Sequence, residues 1–235
     1  MLLVSANLQL MKNKNYKYAS PSLTVDVVIF TIEDDALKVL LIKRARGPFK
    51  NSWALPGGFL RENETSLMAA KRVLKDKAGV SDVYMEQLYT FDEPRRDPRG
   101  QVVSITYFTL VQGDRIKIAS SRGLQEPRFY SVRKLPKLAF DHEKIVRYAR
   151  ERLASKLKYT NVAFSLLPDY FSFSELQRTY EVILERKLDK RNFRKKFMML
   201  GLIKPTEKIL SGKKQRPAKL YQFVSKKPAE LKKFF

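Results

Sequence analysis

The sequence predicts a mixed α/β domain followed by a smaller winged helix-turn-helix domain. Three observations point there. Strand-like apolar segments recur through the first half of the chain, with two amphipathic helical patterns set among and after them. Near Lys158 the pattern changes to two amphipathic helices separated by a tight break. A hairpin with a basic tip closes the second unit, which completes a winged-helix outline. A chain of 235 residues has room for both units, each with its own core. The division read from these shifts is a poorly ordered lead-in at 1–20, a first domain at 21–157 and a second at 158–235.

The elements follow in order. SLTVDVVIF (22–30) alternates and then runs apolar, as a half-buried strand does, and LKVLLIK (37–43) returns across a turn at Asp34 and Asp35. After the loop RARGPFKNS, WALPGGF brings a Gly57-Gly58 pair, read as conformational freedom ahead of a helix. A helix is read over residues 64–77, with Leu67, Ala70, Leu74 and, just beyond it, Ala78 on one face and Gly79 as the stop. Strands follow at 86–91, 101–111 and 127–132, then a helix over 141–157 with Asp141 as N-cap. In the second unit SFSE (172–175) has the capping-box form, and Leu176, Tyr180, Ile183 and Leu184 share a face. Asp189 caps the next helix, which buries Phe193, Phe197 and Leu200 and ends at Gly201.

The net charge is +23, which favours polyanionic partners through long-range attraction and counterion release. It is denser in the second unit, where residues 159–235 hold 18 Lys and Arg against 7 Asp and Glu. With no cysteine there is no disulfide framework and no thiolate chemistry. No apolar run reaches the roughly 18–20 residues of a membrane span, and the first residues lack the core of a signal peptide. The expectation is a cytoplasmic protein without membrane contact.

Residues 58–80, GFLRENETSLMAAKRVLKDKAGV, resemble the Nudix box, G-x5-E-x7-R-E-U-x-E-E-x-G-U, where U is a bulky aliphatic. Gly58, Glu64, Arg72, Leu74, Gly79 and Val80 match. The three remaining acidic positions carry Val73, Asp76 and Lys77. The resemblance implies a face of closely spaced carboxylates that holds divalent cations for cleaving a pyrophosphate. Here only Glu64 and Asp76 are read as remaining on it, and Lys77 brings a repelling charge. The expectation is a degenerate site with no metal and no catalytic residue, although Glu62 or Glu93 could complete a different metal set. Lys77 and a helix terminus would still favour a phosphate.

Further candidates border such a pocket. Lys43, Arg44 and Arg46 lie at a strand end, and Arg95, Arg96 and Arg99 lie in the loop RRDPRG; each could hold a phosphate or simply face solvent. Gly57 and Gly58 would line the site. Trp53 reads as core packing before base stacking. His142, the one histidine, reads as a capping or ligand-side hydrogen bond, since a lone histidine builds no zinc site. In the second unit Lys190, Arg191, Asn192, Arg194 and Lys195 crowd the start of a helix, where they could read base edges. Lys213, Lys214 and Arg216 at the hairpin tip suit phosphates or the minor groove.

The segments KRARGPFKNSWALPGGF, RRDPRGQVVSITYF, LPKLAFDHEKI, LDKRNFRKKF and GKKQRPAKLYQF together resemble Nudix-related transcriptional regulators of the NrtR type. The resemblance implies a homodimeric repressor on a palindromic DNA operator, with an effector in the Nudix pocket and no required cofactor. In one branch the effector is ADP-ribose or a relative and the genes serve NAD synthesis; another branch answers to sugars such as arabinose. It also places Phe91 beside the pocket and the subunit boundary. The alternatives are an active hydrolase of ADP-ribose-like nucleotides with a nucleic-acid tether, and a nucleotide-binding scaffold.

Overall fold

The computed structural model describes residues 20–116, 125–212 and 215–231, with backbone alone at 125–126, 210–212 and 215–217. The lead-in, apart from Ser20, lies outside that range. β1 (Ser22–Glu33) and β2 (Ala36–Lys43) form a hairpin whose two-residue turn is Asp34-Asp35. Both aspartates have positive φ, 50° and 57°, the backbone a tight hairpin turn demands. β3 (Trp53–Ala54) pairs with β2, and β4 (Gly57–Phe59) pairs with β1. β5 (Met85–Phe91) and β6 (Val102–Leu110) extend the sheet beyond β1, with β6 parallel to it; β7 (Gln125–Ser131) joins β2.

β1 changes partner along its length. Thr24–Asp26 face β4, and Phe30–Glu33 face β2. The sheet therefore forks beside Asp26, and the site described below sits at the fork.

Two faces of the sheet are covered, and side-chain alternation along β1 assigns them. Val25, Val27 and Ile29 pack with Leu40 under α1 (Ser66–Ala78). Val28 and Phe30 pack with Val39, Leu41 and Phe108 under α2 (His142–Lys156). Each fully buried Val, Leu, Ile or Phe contributes roughly 1.5–3 kcal/mol, so this double coverage is the main stabilising force of the domain.

α1 begins two residues later than the periodicity suggests. Thr65 is its N-cap, accepting from the Met68 amide at 3.2 Å, and Gly79 stops it with φ 64°. Its buried face is Ala69, Ala70, Val73, Leu74 and Ala78, whereas Leu67 is 41% exposed. Asp141 does not cap α2 with its side chain, because its carboxylate is held by Arg96.

The second unit opens with a 3-10 turn at Val162–Leu166 and β8 (Phe171–Ser172). α3 (Phe173–Leu184) starts on a complete capping box between Ser172 and Glu175. α4 (Lys190–Met199) starts on Asp189, whose Oδ1 accepts from the Asn192 amide at 2.8 Å. β9 (Ile203–Gly212) and β10 (Gln215–Phe223) form the wing, and β10 also pairs with β8. The chain then returns to residues 159–161, where buried Asn161 accepts from the Ala229 amide and donates to the Lys227 carbonyl. This tie spans 66 and 68 positions of sequence and has no local signal in it. Phe193 and Phe197 are buried, but Leu200 is only half-buried.

Candidate functional site

The box helix α1 and the turn before it carry the positions of the metal face. Glu64 is not a free carboxylate. Arg72 grips both its oxygens, at 2.6 and 2.7 Å, and holds its carboxyl down at about 2. Glu64, read from the sequence as a carboxylate remaining on the degenerate metal face, is thus engaged in an ion pair. Val73 is 2% exposed and belongs to the apolar cluster between α1 and the sheet. Asp76 is exposed and Lys77 is half-buried, with burial pushing its ammonium pKa down. Glu62 and Glu93 are exposed on loops. Among the described residues no three His, Asp or Glu side chains gather where they could hold a metal ion. Hard cations need several anionic oxygens at fixed distance, and this donor set does not fit them.

A cavity of about 130 Å³ opens at the fork of the sheet. Arg44, Gly57, Gly58, Arg99 and His142 line it, together with Asp26, Phe59, Arg96, Asp97 and Phe140, which complete its polar floor and aromatic mouth. Lys43, Arg46 and Arg95 do not. The Lys43 ammonium lies 6.0 Å from the Trp53 ring centre, and Arg46 and Arg95 are exposed on their loops. Trp53 packs edge-on against Tyr130, and Phe91 is buried against Tyr148 and Tyr89, away from the cavity.

The floor is polar and buried. Asp26 Oδ2 accepts from Ser104 Oγ at 2.6 Å, with Arg96 at 3.5 Å. Arg96 is bound bidentately to Asp141 and its side chain is 4% exposed, so it builds the wall; Arg99 is bound bidentately to Asp97 in the same way, but its side chain is 42% exposed and can still meet an anion. His142 is 4% exposed; its Nδ1 accepts from the Leu55 amide at 2.9 Å. Because Nδ1 accepts, the ring proton sits on Nε2, and burial pushes the His142 pKa below its ordinary value. Gly57 is required here for close approach, because a Cβ would lie 2.3 Å from Asp26 Oδ1. Gly57 and Gly58 are not among the positive-φ glycines, so conformational freedom is not their role.

The mouth is cationic and aromatic. Arg99 is held by Asp97 at 2.6 Å and lies 5.2 Å from the Phe59 ring centre; Arg44 lies 4.7 Å from that of Phe140 and donates to the Pro48 carbonyl. Burial and the Arg99 charge lower the Arg44 pKa. Phe140 has φ 54°, a left-handed conformation that costs an aromatic residue of order 1–3 kcal/mol. Asp26 went unnoticed in the sequence, although a lone acid inside an otherwise buried strand was a usable signal.

The second candidate surface is α4. Lys190, Arg191, Asn192 and Lys195 are exposed, and among the described residues Lys190, Arg191 and Lys195 make no ion pair. Arg194 differs. It donates to the Tyr221 hydroxyl at 2.7 Å and lies 4.9 Å from the Phe173 ring centre, so it anchors α4 to the wing. Lys213 and Lys214 lie outside the described residues, and of Arg216 only the backbone is described. Lys204, Lys208 and Lys219 add cations along the wing, with the Lys208 ammonium 3.6 Å from the Tyr170 ring centre.

Fold and site together define a class: a Nudix domain with a metal face that has lost two of its carboxylate positions, to Val73 and Lys77, joined to a winged helix. Known proteins agree. Residues 22–149 match the NUDIX domain, and residues 163–223 match the NrtR DNA-binding winged helix domain. A protein of Acinetobacter baylyi described as an ADPR responsive transcriptional repressor NtrR is 39% identical over 212 residues, covering 88% of this chain and 84% of its own. Shewanella oneidensis NrtR complexed with a 27mer DNA aligns with TM-score 0.77 at 36% identity, over 86% of this chain and 93% of that one. The NUDIX domain of the same protein, complexed with ADP ribose, aligns with TM-score 0.54 at 36% identity, over 62% of this chain and 97% of that one. An ADP-ribose pyrophosphatase of Methanocaldococcus jannaschii is 42% identical over 135 residues, 57% of this chain and 76% of its own. The chain belongs to the NrtR family of Nudix-related transcriptional regulators.

Proposed function

We propose that the protein is a DNA-binding repressor whose Nudix domain senses ADP-ribose without cleaving it. The observation that carries the reading is the fate of the metal face: Glu64 is consumed by Arg72, Val73 is part of the interior, and Lys77 occupies a carboxylate position. What remains is a cavity with two guanidinium groups at its mouth. At about 130 Å³ it is smaller than the roughly 300–1,000 Å³ of most ligand sites, so it encloses one end of the effector. Arg44 and Arg99 are the phosphate contacts, Gly57 and Gly58 permit close approach, and His142 faces the ligand. Lys43, Arg46 and Arg95 are at most peripheral.

On DNA, Lys190, Arg191, Asn192 and Lys195 of α4 meet the major groove, and the wing, with Lys213, Lys214 and Arg216, meets phosphates. A homodimer on a palindromic operator, in the cytoplasm, is part of this reading, and control of NAD metabolism is the matching role. The relatives that bind DNA and ADP ribose support it.

Fluorescence anisotropy on duplexes from upstream of the protein's own gene cluster tests it. One duplex should bind on the order of 10³-fold more tightly than random DNA at moderate salt. ADP-ribose should change that affinity by roughly 5–150-fold. Uniform binding to all duplexes would refute the repressor reading. A second reading, an active pyrophosphatase, draws on the archaeal relative. Incubation with magnesium and ADP-ribose decides it: the expected result is no AMP, and stoichiometric AMP would restore the enzyme.

A further inference from the structure

A larger cavity lies away from the fork, at the seam between the two units. Its volume is about 680 Å³, within the roughly 300–1,000 Å³ of most ligand sites, and domain boundaries are where such sites concentrate. The first domain supplies Leu110 at the end of β6 and Gln112 and Arg115 just beyond it. The second supplies Phe164 and Ser165 of the 3-10 turn, Leu167 after it, and Lys227 of the returning C-terminal segment. Hydrogen bonds fix these walls. Gln112 Nε2 donates to the Leu167 carbonyl across the seam, and the Asn161 side chain holds the Lys227 carbonyl at 3.1 Å. The cavity shares no lining residue with the one at the fork.

Two features of the lining are left without partners. Ser165 Oγ is buried and makes no hydrogen bond among the described residues, which is costly for a hydroxyl. Arg115 and Lys227 are exposed and make no ion pair among the described residues, although the neighbouring Lys226 is paired with Asp169. The Lys226 hydrogen bond, with the charges of Lys226 and Arg115, holds the Asp169 carboxyl below its ordinary value, so Arg115 projects its field into this end of the cavity.

A guanidinium and an ammonium together match a dianion better than a single carboxylate. Inorganic phosphate would leave most of the volume empty, and Leu110, Phe164 and Leu167 offer apolar wall to a larger body. We infer that the seam cavity is a second ligand site, for a phosphorylated ring compound of mononucleotide size. Arg115 and Lys227 take its phosphate, the apolar wall takes its ring, and the Ser165 hydroxyl bonds a polar atom between them. The inference does not rest on the effector reading, which concerns the cavity at the fork.

Titration calorimetry on the full chain tests it, with adenosine 5′-monophosphate as the probe and adenosine and inorganic phosphate as separate arms. The monophosphate should bind about tenfold or more tightly than either. One binding step should weaken about tenfold or more in R115A/K227A and roughly three- to tenfold in S165A. The same step should persist in R44A, which removes a cation from the other cavity. Both cations are exposed, so their loss spares the fold. Absence of any step with the native protein overturns the site, as does a step unchanged in R115A/K227A or in S165A. Loss of every step in R44A places the probe at the fork and overturns the seam site too. Adenosine or inorganic phosphate binding as tightly as the monophosphate overturns the assigned ligand class. Operator binding is not read in these titrations, so their failure leaves the repressor reading intact.

Discussion

The box helix α1 and the helix α4 of the winged-helix unit carry similar residues to opposite ends. Both are short, amphipathic and rich in lysine and arginine. In α1 the charges suit the helix. Lys75 and Lys77 lie in the last turn, where the carbonyl end of the dipole welcomes cations, and Arg72 is matched by Glu64. In α4 the cations crowd the first turn, which has no acidic residue beyond the capping Asp189. A positive charge there opposes the dipole. A helix that keeps Lys190 and Arg191 where they disfavour it is arranged for an anion supplied from outside. In α1 the charge is satisfied within the chain and supports the fold; in α4 it is left open to a partner from outside.

Four substitutions would break or sharpen this contrast. The largest effect belongs to the hidden side of α4. Phe197, 0% exposed, packs against Phe173, Tyr180 and Phe193. F197A should cost about 3–5 kcal/mol in denaturant unfolding. R191A comes next and acts on the open side. It should weaken operator binding by about 1–3 kcal/mol in anisotropy, while stability stays level or rises by about 0.3–1 kcal/mol as dipole repulsion is relieved. A stability loss comparable to that of F197A would end the contrast.

The other two effects are smaller and depend on pH. Burial holds the folded-state pKa of His142 below its ordinary 6.5, so the native state binds fewer protons than the unfolded chain near and below that pH. Its contribution is complete above 6.5 and declines as pH falls below it. Melting temperatures should therefore drop more between about pH 7.5 and 5.5 in the native protein than in H142N. Glu64 titrates lower still, from 4.5 unfolded to about 2 folded. The stability gap between the native protein and E64Q should be constant above 4.5 and shrink as pH falls towards 2, with operator binding near neutrality untouched.

The order of elements was legible because its signals are local. Hydrophobic period marked the strands, and the caps at Ser172 and Asp189 fixed helix starts to the residue. The winged helix and its exposed cations followed from the same reasoning. The cavity floor was less legible because it is assembled from β1, β4, β6 and the 96–99 and 138–142 segments. Only the fold shows that Arg96 is spent on Asp141, or that Asp26 faces His142 across 116 positions of sequence. Val73 was misjudged for a related reason. A helix at 100° per residue places 73 near 76 and 77, but the sheet lies under 73 and solvent over 76.

The apolar cluster beneath β1 does not stop at the end of the first domain. It continues without a gap through Leu153, Leu166 and Phe171 to Tyr180, Phe197 and Tyr221. The DNA-reading half is thus no bead on a string. It shares an interior with the sensor, so its bearing is settled before any duplex arrives, and docking forfeits little orientational freedom.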